Sequence, residues 1–285
     1  MHKRVSLFDV TNICVLFVVS LICVFPFVHL LVVSLSNGTH VVAGRVVLWP
    51  MGLNIETYKY ILSVPHLNIL SGMVNSFLYA TVGTAVAITL TYLTAYALSR
   101  KKLKGRYFIM LVFMFTWVFE AGIIPNYIVL RELGFVNSFW VMIIPPAINT
   151  FLLIVTRSFL DTLPDELEEA AYIDGANDFH IMSRIFLHLS KPMLATIAIF
   201  YAVQIWNSFL IPLIYLRDKE LHPIQLVLYS LIINPDDDAR IFENLVQNGV
   251  LLVPQTLQAA AISLAVFPVL FVYPIAQKYF TKGFL

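Results

Sequence analysis

The sequence predicts an all-α integral membrane protein with six transmembrane helices. Three observations predict this. The 285 residues are 59% hydrophobic and only 12% charged, the latter about half the share usual in a soluble domain. Mean hydropathy is +0.83. The apolar residues gather into separate runs of about the 20 residues that a helix needs to cross a bilayer. A soluble core of this length could not hide so much apolar surface. Net charge is +1, so no basic field points to nucleic acid.

The first run covers about Thr11–Leu35. A short charged start, Lys3-Arg4, precedes it. The run is longer than the apolar region of a secretion signal, so we read an uncleaved span. Cys14 and Cys23 lie on it, separated by roughly 13 Å of helix axis, too far to bridge. No CxxC or Cys/His cluster suggests a metal. The second run, Ser71–Ser99, places Gly72, Ser76, Ala80, Gly83, Ala87 and Thr91 at spacings of three and four. Small residues on one face let helix backbones approach closely in lipid, so this face is expected at a helix contact, within the chain or with a partner. The third run, Tyr107–Leu130, is interrupted by Glu120 and Pro125. The fourth covers Ser138–Phe159, the fifth Pro192–Leu216 and the sixth Gln255–Gln277. Prolines 26, 125, 145, 146, 212 and 268 fall inside spans. They are either local kinks or bends around a pathway, and neighbouring helices can satisfy the carbonyls they free.

Lys and Arg set orientation. With both termini inside, twelve of the eighteen fall on the inner side. The run Arg100-Lys101-Lys102-Leu103-Lys104-Gly105-Arg106 is the strongest anchor; its alternative reading is a lipid or nucleic-acid patch. Two longer loops face outward, and Pro223–Ile233 within the second reads as a short apolar helix. Asp236-Asp237-Asp238 in that loop lacks the spacing of a calcium loop and reads as a solvated charge run.

The inner segment from Asp161 to Pro192 is too polar to cross and too patterned to be a linker. Leu163-Pro164-Asp165 reads as a helix start, with proline in the first turn and acids after it. Glu166, Glu168 and Glu169 suit the positive end of the helix dipole. Ala170 and Ala171 favour helix without bulk. Gly175 breaks the helix. A second amphipathic stretch follows, with Phe179, Met182, Ile185, Phe186 and Leu189 at helical spacing. The expected shape is helix, glycine turn, helix.

The string EAAYIDGA, Glu169 to Ala176, followed by IFLHLSKP, Ile185 to Pro192, resembles the EAA loop of binding-protein-dependent ABC importer permeases. Glu169, Ala170, Ala171, Asp174, Gly175 and Ala176 match its pattern. The ending departs, since Ser190-Lys191-Pro192 closes it where the family has Leu-Pro. The stretches Ile124 to Pro145, Trp206 to Leu216 and Gln277 to Leu285 are similar to the maltose-permease-like, carbohydrate-importing branch. Leu221 to Ile232 is most similar to permeases for complex oligosaccharides, including plant-polymer and alginate or other uronate fragments.

The resemblance implies a pore-forming subunit of an ATP-driven importer in the bacterial cytoplasmic (inner) membrane, with no catalytic site of its own. Its partners would be a second, homologous permease in a heterodimer, two cytoplasmic ATPase subunits, an extracytoplasmic solute-binding protein, membrane lipid and a carbohydrate. ATP and magnesium would be bound by the ATPases; this chain carries no phosphate loop of the GxxxxGK[ST] form and would hold no cofactor. Residues 1–70 would be the first span and outer loop. Residues 71–285 would be a five-helix permease core containing the coupling loop 161–191. There Glu168, Glu169, Ala170, Ala171, Asp174, Gly175 and Ala176 would meet an ATPase. The competing reading is a stand-alone secondary transporter, which would favour inverted repeats and more buried ionisable groups.

Sugars are held by aromatic faces and by groups that hydrogen-bond hydroxyls. Asn149 in the fourth span and Tyr201, Gln204, Trp206 and Asn207 in the fifth are therefore candidates to line the pathway. For Trp206 and Asn207 helix packing is the alternative. Glu120 is a carboxylate inside a span, where charge is costly unless it faces protein or water. Related permeases usually have a small residue there. Either it faces the cavity, touching substrate or a partner's cation, or it lies at the outer interface.

Overall fold

The computed structural model describes residues 7–64, 67–233 and 253–283. All regular secondary structure among them is helical. In chain order the helices are α1 (Leu7–Ser34), α2 (Gly38–Val42), α3 (Glu56–Ser63), α4 (Ile69–Ser99), α5 (Arg106–Val118), α6 (Ile123–Glu132) and α7 (Thr150–Asp161). There follow α8 (Glu166–Ile173), α9 (Asp178–Leu189), α10 (Lys191–Trp206), α11 (Leu210–Tyr215), α12 (Ile224–Ile233) and α13 (Pro254–Gly283). The expected outer triplet Asp236-Asp237-Asp238 lies outside the described residues, as do Lys3, Arg4 and Arg240.

Among the described residues, α1, α4 and α13 are long and apolar enough to cross a membrane. Two further pairs pass the same test together but are sharply bent: α5 with α6 by 118°, and α9 with α10 by 78°. The run expected as the third span is occupied by the α5–α6 pair, broken where Glu120 stands. Its Pro125 sits in the first turn of α6, where a helix has N–H groups to spare and proline costs little. The fourth expected span differs from a continuous helix. Its first part is a 3₁₀ turn over Phe139–Met142, then a turn containing Pro145 and Pro146. Helix resumes only at Thr150 and runs for 12 residues. Two adjacent prolines remove two donors and disfavour helix before them, and Asn149 restarts it by accepting from Leu152 N at 3.2 Å. The fifth expected span divides into α10 and α11. The short apolar helix expected over Pro223–Ile233 is α12.

The chain forms two units. The first comprises residues 1–69 and 227–268. Side chains of α1 from Phe8 to Val28 are exposed, as lipid-facing apolar residues are. Beyond them the chain folds back on the end of this helix: Met51 N donates to Ser36 Oγ at 3.2 Å and Asn54 N to Leu35 O at 2.9 Å. Ser34 Oγ meets Tyr58 OH on α3 at 2.7 Å. In α13, Leu257 and Ala259 to Ala261 are buried, and Gln258 Nε2 donates to Leu231 O at 3.2 Å.

The second unit comprises residues 70–226 and 269–285, and α4 is its spine. Three apolar clusters lie along that helix. The first gathers Tyr79, Val141, Met142, Ile205 and Tyr215. The middle one holds Ala87, Leu152, Met193, Ile197 and Tyr201. The last joins Tyr92, Ala95, Tyr96 and Leu98 to Leu153, Leu160, Ala171, Ile181 and Phe186. The small-residue face behaves as its spacing predicts, and all six of its residues are buried. A Cβ on Gly83 would lie 2.7 Å from Ile205 Cδ1, so α10 approaches α4 within the same chain.

Candidate functional site

The segment from Asp161 to Pro192 folds as helix, glycine turn, helix. Pro164 and Asp165 precede α8, whose first turn carries Glu166, Glu168 and Glu169. Gly175, at φ +81°, ends it in a conformation that a side chain would strain. Asn177 then opens α9 by accepting from His180 N at 2.8 Å. The middle of α9, Ile181–Phe186, is wound as a π-helix, which turns Phe186 fully inward (0% exposed).

The carboxylates of α8 divide into two groups. Glu168 is turned toward the chain itself: Arg100 Nη1 donates to its Oε2 at 2.6 Å, and Lys102 Nζ stands 3.7 Å from its Oε1. Lys101 pairs with Asp165. Thus Arg100, Lys101 and Lys102, whose sequence suggested a membrane-side anchor, also grip α8. The hydrogen bond from Lys101 holds the Asp165 carboxyl below the usual carboxylate range and lifts the lysine above its own. Tyr172 is hydrogen-bonded to Asp178, which together with burial raises its phenol. Ala171 is buried in the cluster shared with α4. By contrast Glu169, Ala170, Asp174 and Gly175 are exposed, and Ala176 is half-buried. Beside them Ile173 is 87% and Phe179 71% exposed. The outer face of the loop is therefore apolar and acidic, with its fold fixed from behind.

The pathway candidates fall into separate places. Asn149, Tyr201 and Gln204 are brought together. Tyr201 OH accepts from Asn149 N at 3.0 Å and lies 2.6 Å from Thr91 Oγ1. Asn149 Nδ2 donates to Gln204 Oε1 at 3.3 Å. Tyr201 is only 1% exposed, so it joins α4, the start of α7 and α10 rather than presenting a ring. Trp206 is buried too, while Asn207 at the end of α10 is exposed. Trp206 Nε1 meets no hydrogen-bond partner among the described residues. Glu120 stands at the α5–α6 break and is exposed. It lines a cavity of about 170 Å³ with Asn126, Ile211 and Tyr215 among the other walls.

Sequence reasoning missed two asparagines that tie distant segments together. Asn137, at φ 58°, accepts from Arg217 N and Asp218 N at 3.0 Å each and donates to Asp218 Oδ2 at 2.7 Å. Asn75 donates to Glu220 O and His222 O at 2.6 and 3.1 Å. The Gly134–Phe135–Val136–Asn137 turn was a local signal for the first. Nothing in the sequence marks the second, whose partners lie 145 and 147 positions away.

Comparison with known proteins agrees with this architecture. Residues 93–285 match the family described as binding-protein-dependent transport system inner membrane component. The polygalacturonan/rhamnogalacturonan transport system permease protein YtcP of Bacillus subtilis (strain 168) is 39% identical over 279 residues, covering 98% of this chain and 96% of that protein. Protein LplC of the same organism is 38% identical over 283 residues, covering 99% and 95%. A crystal structure of a bacterial ABC transporter involved in the import of the acidic polysaccharide alginate superposes with a TM-score of 0.91 at 30% identity, covering 98% of this chain and 99% of that one. The family match and the near-complete alignments place the chain in the inner membrane. It belongs to the binding-protein-dependent transport system inner membrane components, and is a non-catalytic permease subunit of an ABC importer.

Proposed function

We propose that this permease subunit admits an oligosaccharide rich in uronate units, and that the loop 161–191 couples its movement to ATP hydrolysis. The observation that carries the coupling is the division of α8 into a gripped back and an exposed acidic and apolar front. A helix held this way can be pushed without deforming, and Glu169 and Asp174 stand free of the grip to pair with basic groups of an ATPase. Ala170 allows close approach, Gly175 fixes the turn, and Ala171 and Ala176 anchor the helix to the last cluster of α4. Glu168 belongs to the same coupling element through its hold on Arg100.

The complete assembly in this reading holds a second permease, two ATPase subunits that bind ATP and magnesium, and an extracytoplasmic binding protein. This chain contributes six spans with both termini inside, residues 71–285 forming the permease core and residues 1–70 the added first span and outer loop. The pathway passes Glu120 and its cavity, with Asn207 and Gln204 as further polar groups. Asn149, Tyr201 and Trp206 stand behind them as packing. The substrate class is supported by the names of the relatives, a polygalacturonan/rhamnogalacturonan permease and an alginate importer. Glu120 carries like charge to a uronate, so it would meet the hydroxyl edge of the sugar.

Uptake into liposomes tests this reading. The assembled complex, with its binding protein, should import labelled oligogalacturonate and not maltotriose. Glu120→Gln should change the concentration needed for half-maximal uptake. Import of maltotriose alone would overturn the substrate class, and an unchanged Glu120→Gln profile would remove Glu120 from the pathway.

A further inference from the structure

The basic stretch at the C-terminal end of α4 does more in this structure than mark a membrane side. The guanidinium of Arg100 touches three elements at once. Its Nη1 donates to Glu168 Oε2 of α8 at 2.6 Å. Its Cζ lies 4.4 Å from the centre of the Phe186 ring of α9 and 4.9 Å from that of Tyr96 on α4. Its Nε and Nη2 donate to Ser99 Oγ at 3.0 and 2.9 Å. The side chains of Arg100 and Glu168 are each only 15% exposed. A planar guanidinium can stack on aromatic faces and still direct hydrogen bonds along its edge. A charge-assisted bond with little water around it is short and directional. Lys102 reinforces the arrangement, with Nζ 3.9 Å from the centre of the Tyr172 ring of α8.

We infer that Arg100 is a positioning residue that locks α8 to the end of α4 and to α9, so that a push on α8 moves all three as one body. This rests on the reading of the loop 161–191 as the coupling element, and names the part that carries displacement from it into a span. By sequence the basic stretch reads as a topology anchor and Glu168 as a contact for the ATPase. The geometry assigns both to a clamp within the chain. The π-helical winding of α9 belongs to the same device: it aims Phe186 at the guanidinium, and Tyr92 OH of α4 donates to Met182 O within it at 2.7 Å. A rigid-body transition needs such a connection, since a loop helix free to rock on its tether would absorb the push.

The test uses the complete complex in nanodiscs, with Cys14 and Cys23 replaced by serine and spin labels at Lys104→Cys and Glu166→Cys. Neither labelled residue takes part in the clamp. Distances are recorded without nucleotide and with ATP plus vanadate. The expected result is a single narrow distance that is the same in both states. Arg100→Gln and Glu168→Gln should each lose the narrow distance and make it depend on nucleotide. Arg100→Lys, which keeps a charge against Glu168 but loses the planar stack on Phe186 and Tyr96, should restore it only in part. If both glutamine variants keep the narrow distance in both states, the clamp does not position α8 and the inference fails. Failure of the coupling reading itself would look different. Glu169→Lys would then retain both its ATPase subunits and full stimulation by loaded binding protein, whatever the spin labels show.

Discussion

The hydroxyl of Tyr201 lies between Thr91 Oγ1 and the Asn149 amide, at 2.6 and 3.0 Å, and both of those groups are sheltered from solvent. Tyr201→Phe would leave them without their partner. Leaving a buried polar group unsatisfied costs about 1–3 kcal/mol, so the variant should melt earlier, while uptake at low temperature should change little. Thermal unfolding of the purified complex checks this; a loss of uptake with unchanged melting would return Tyr201 to the pathway. The residue type was legible in the sequence, but its role was not. A tyrosine beside Gln204 and Trp206 looks like a sugar site, and only the partner 110 positions away shows a joint. The charges behave similarly. Asp165 is held below the value of 3.8 ordinary for it, by the hydrogen bond from Lys101. Its contribution is complete above that value and is lost as pH falls through the lower folded one. Lys101 is raised above 10.5, so its contribution is complete below that value and is lost as pH rises through the higher one. Protection of the α8 amides from hydrogen exchange should therefore be flat across neutral pH. His222, like Asp165, acts on the acid side. Burial lowers it from 6.5, so its segment should lose stability as pH falls below that value. Exchange at residues 219–224 reads this directly, and unchanged protection in mild acid would contradict it.

At the scale of elements, α4 was the most readable part of the chain. Six of its small residues recur at helical spacing on one face, and the structure buries all six. Gly83 accommodates Ile205 so closely that Gly83→Leu forces the Ile205 side chain to shift. Overpacking of this kind costs about 1–3 kcal/mol, and Ile205→Ala in the same chain should recover much of it. Thermal unfolding of the single and double variants measures the recovery; additive losses would place the contact elsewhere. The loop 161–191 was readable for the same reason, since proline, acids, alanines and glycine each have a local meaning. The stretch 138–159 was less so. Hydropathy averages over a window and registers an apolar run, whereas Pro145 and Pro146 act at single positions and confine regular α-helix to Thr150–Asp161. The α5–α6 break was half visible: Glu120 and Pro125 flagged an interruption, but not a turn of 118°, within which Gly122 takes a φ of +84°.

For the molecule as a whole, the apolar composition identified the solvent, and the EAA pattern between apolar runs identified the kind of machine. The substrate was not written there in the same way. In the reading proposed above it rests on a cavity lined by Glu120 at the α5–α6 break and by side chains of α6 and α11, and on partners outside the chain. In the proposed reading the outer face of α8 receives the force of ATP hydrolysis. This is tested most directly by co-expressing the chain with its partner permease, ATPase and binding protein, and measuring ATP hydrolysis in liposomes as loaded binding protein is added. The wild-type complex should be stimulated, and Glu169→Lys and Gly175→Arg should either lose the ATPase on purification or lose the stimulation. Full stimulation in both variants, with the ATPase retained, would contradict it.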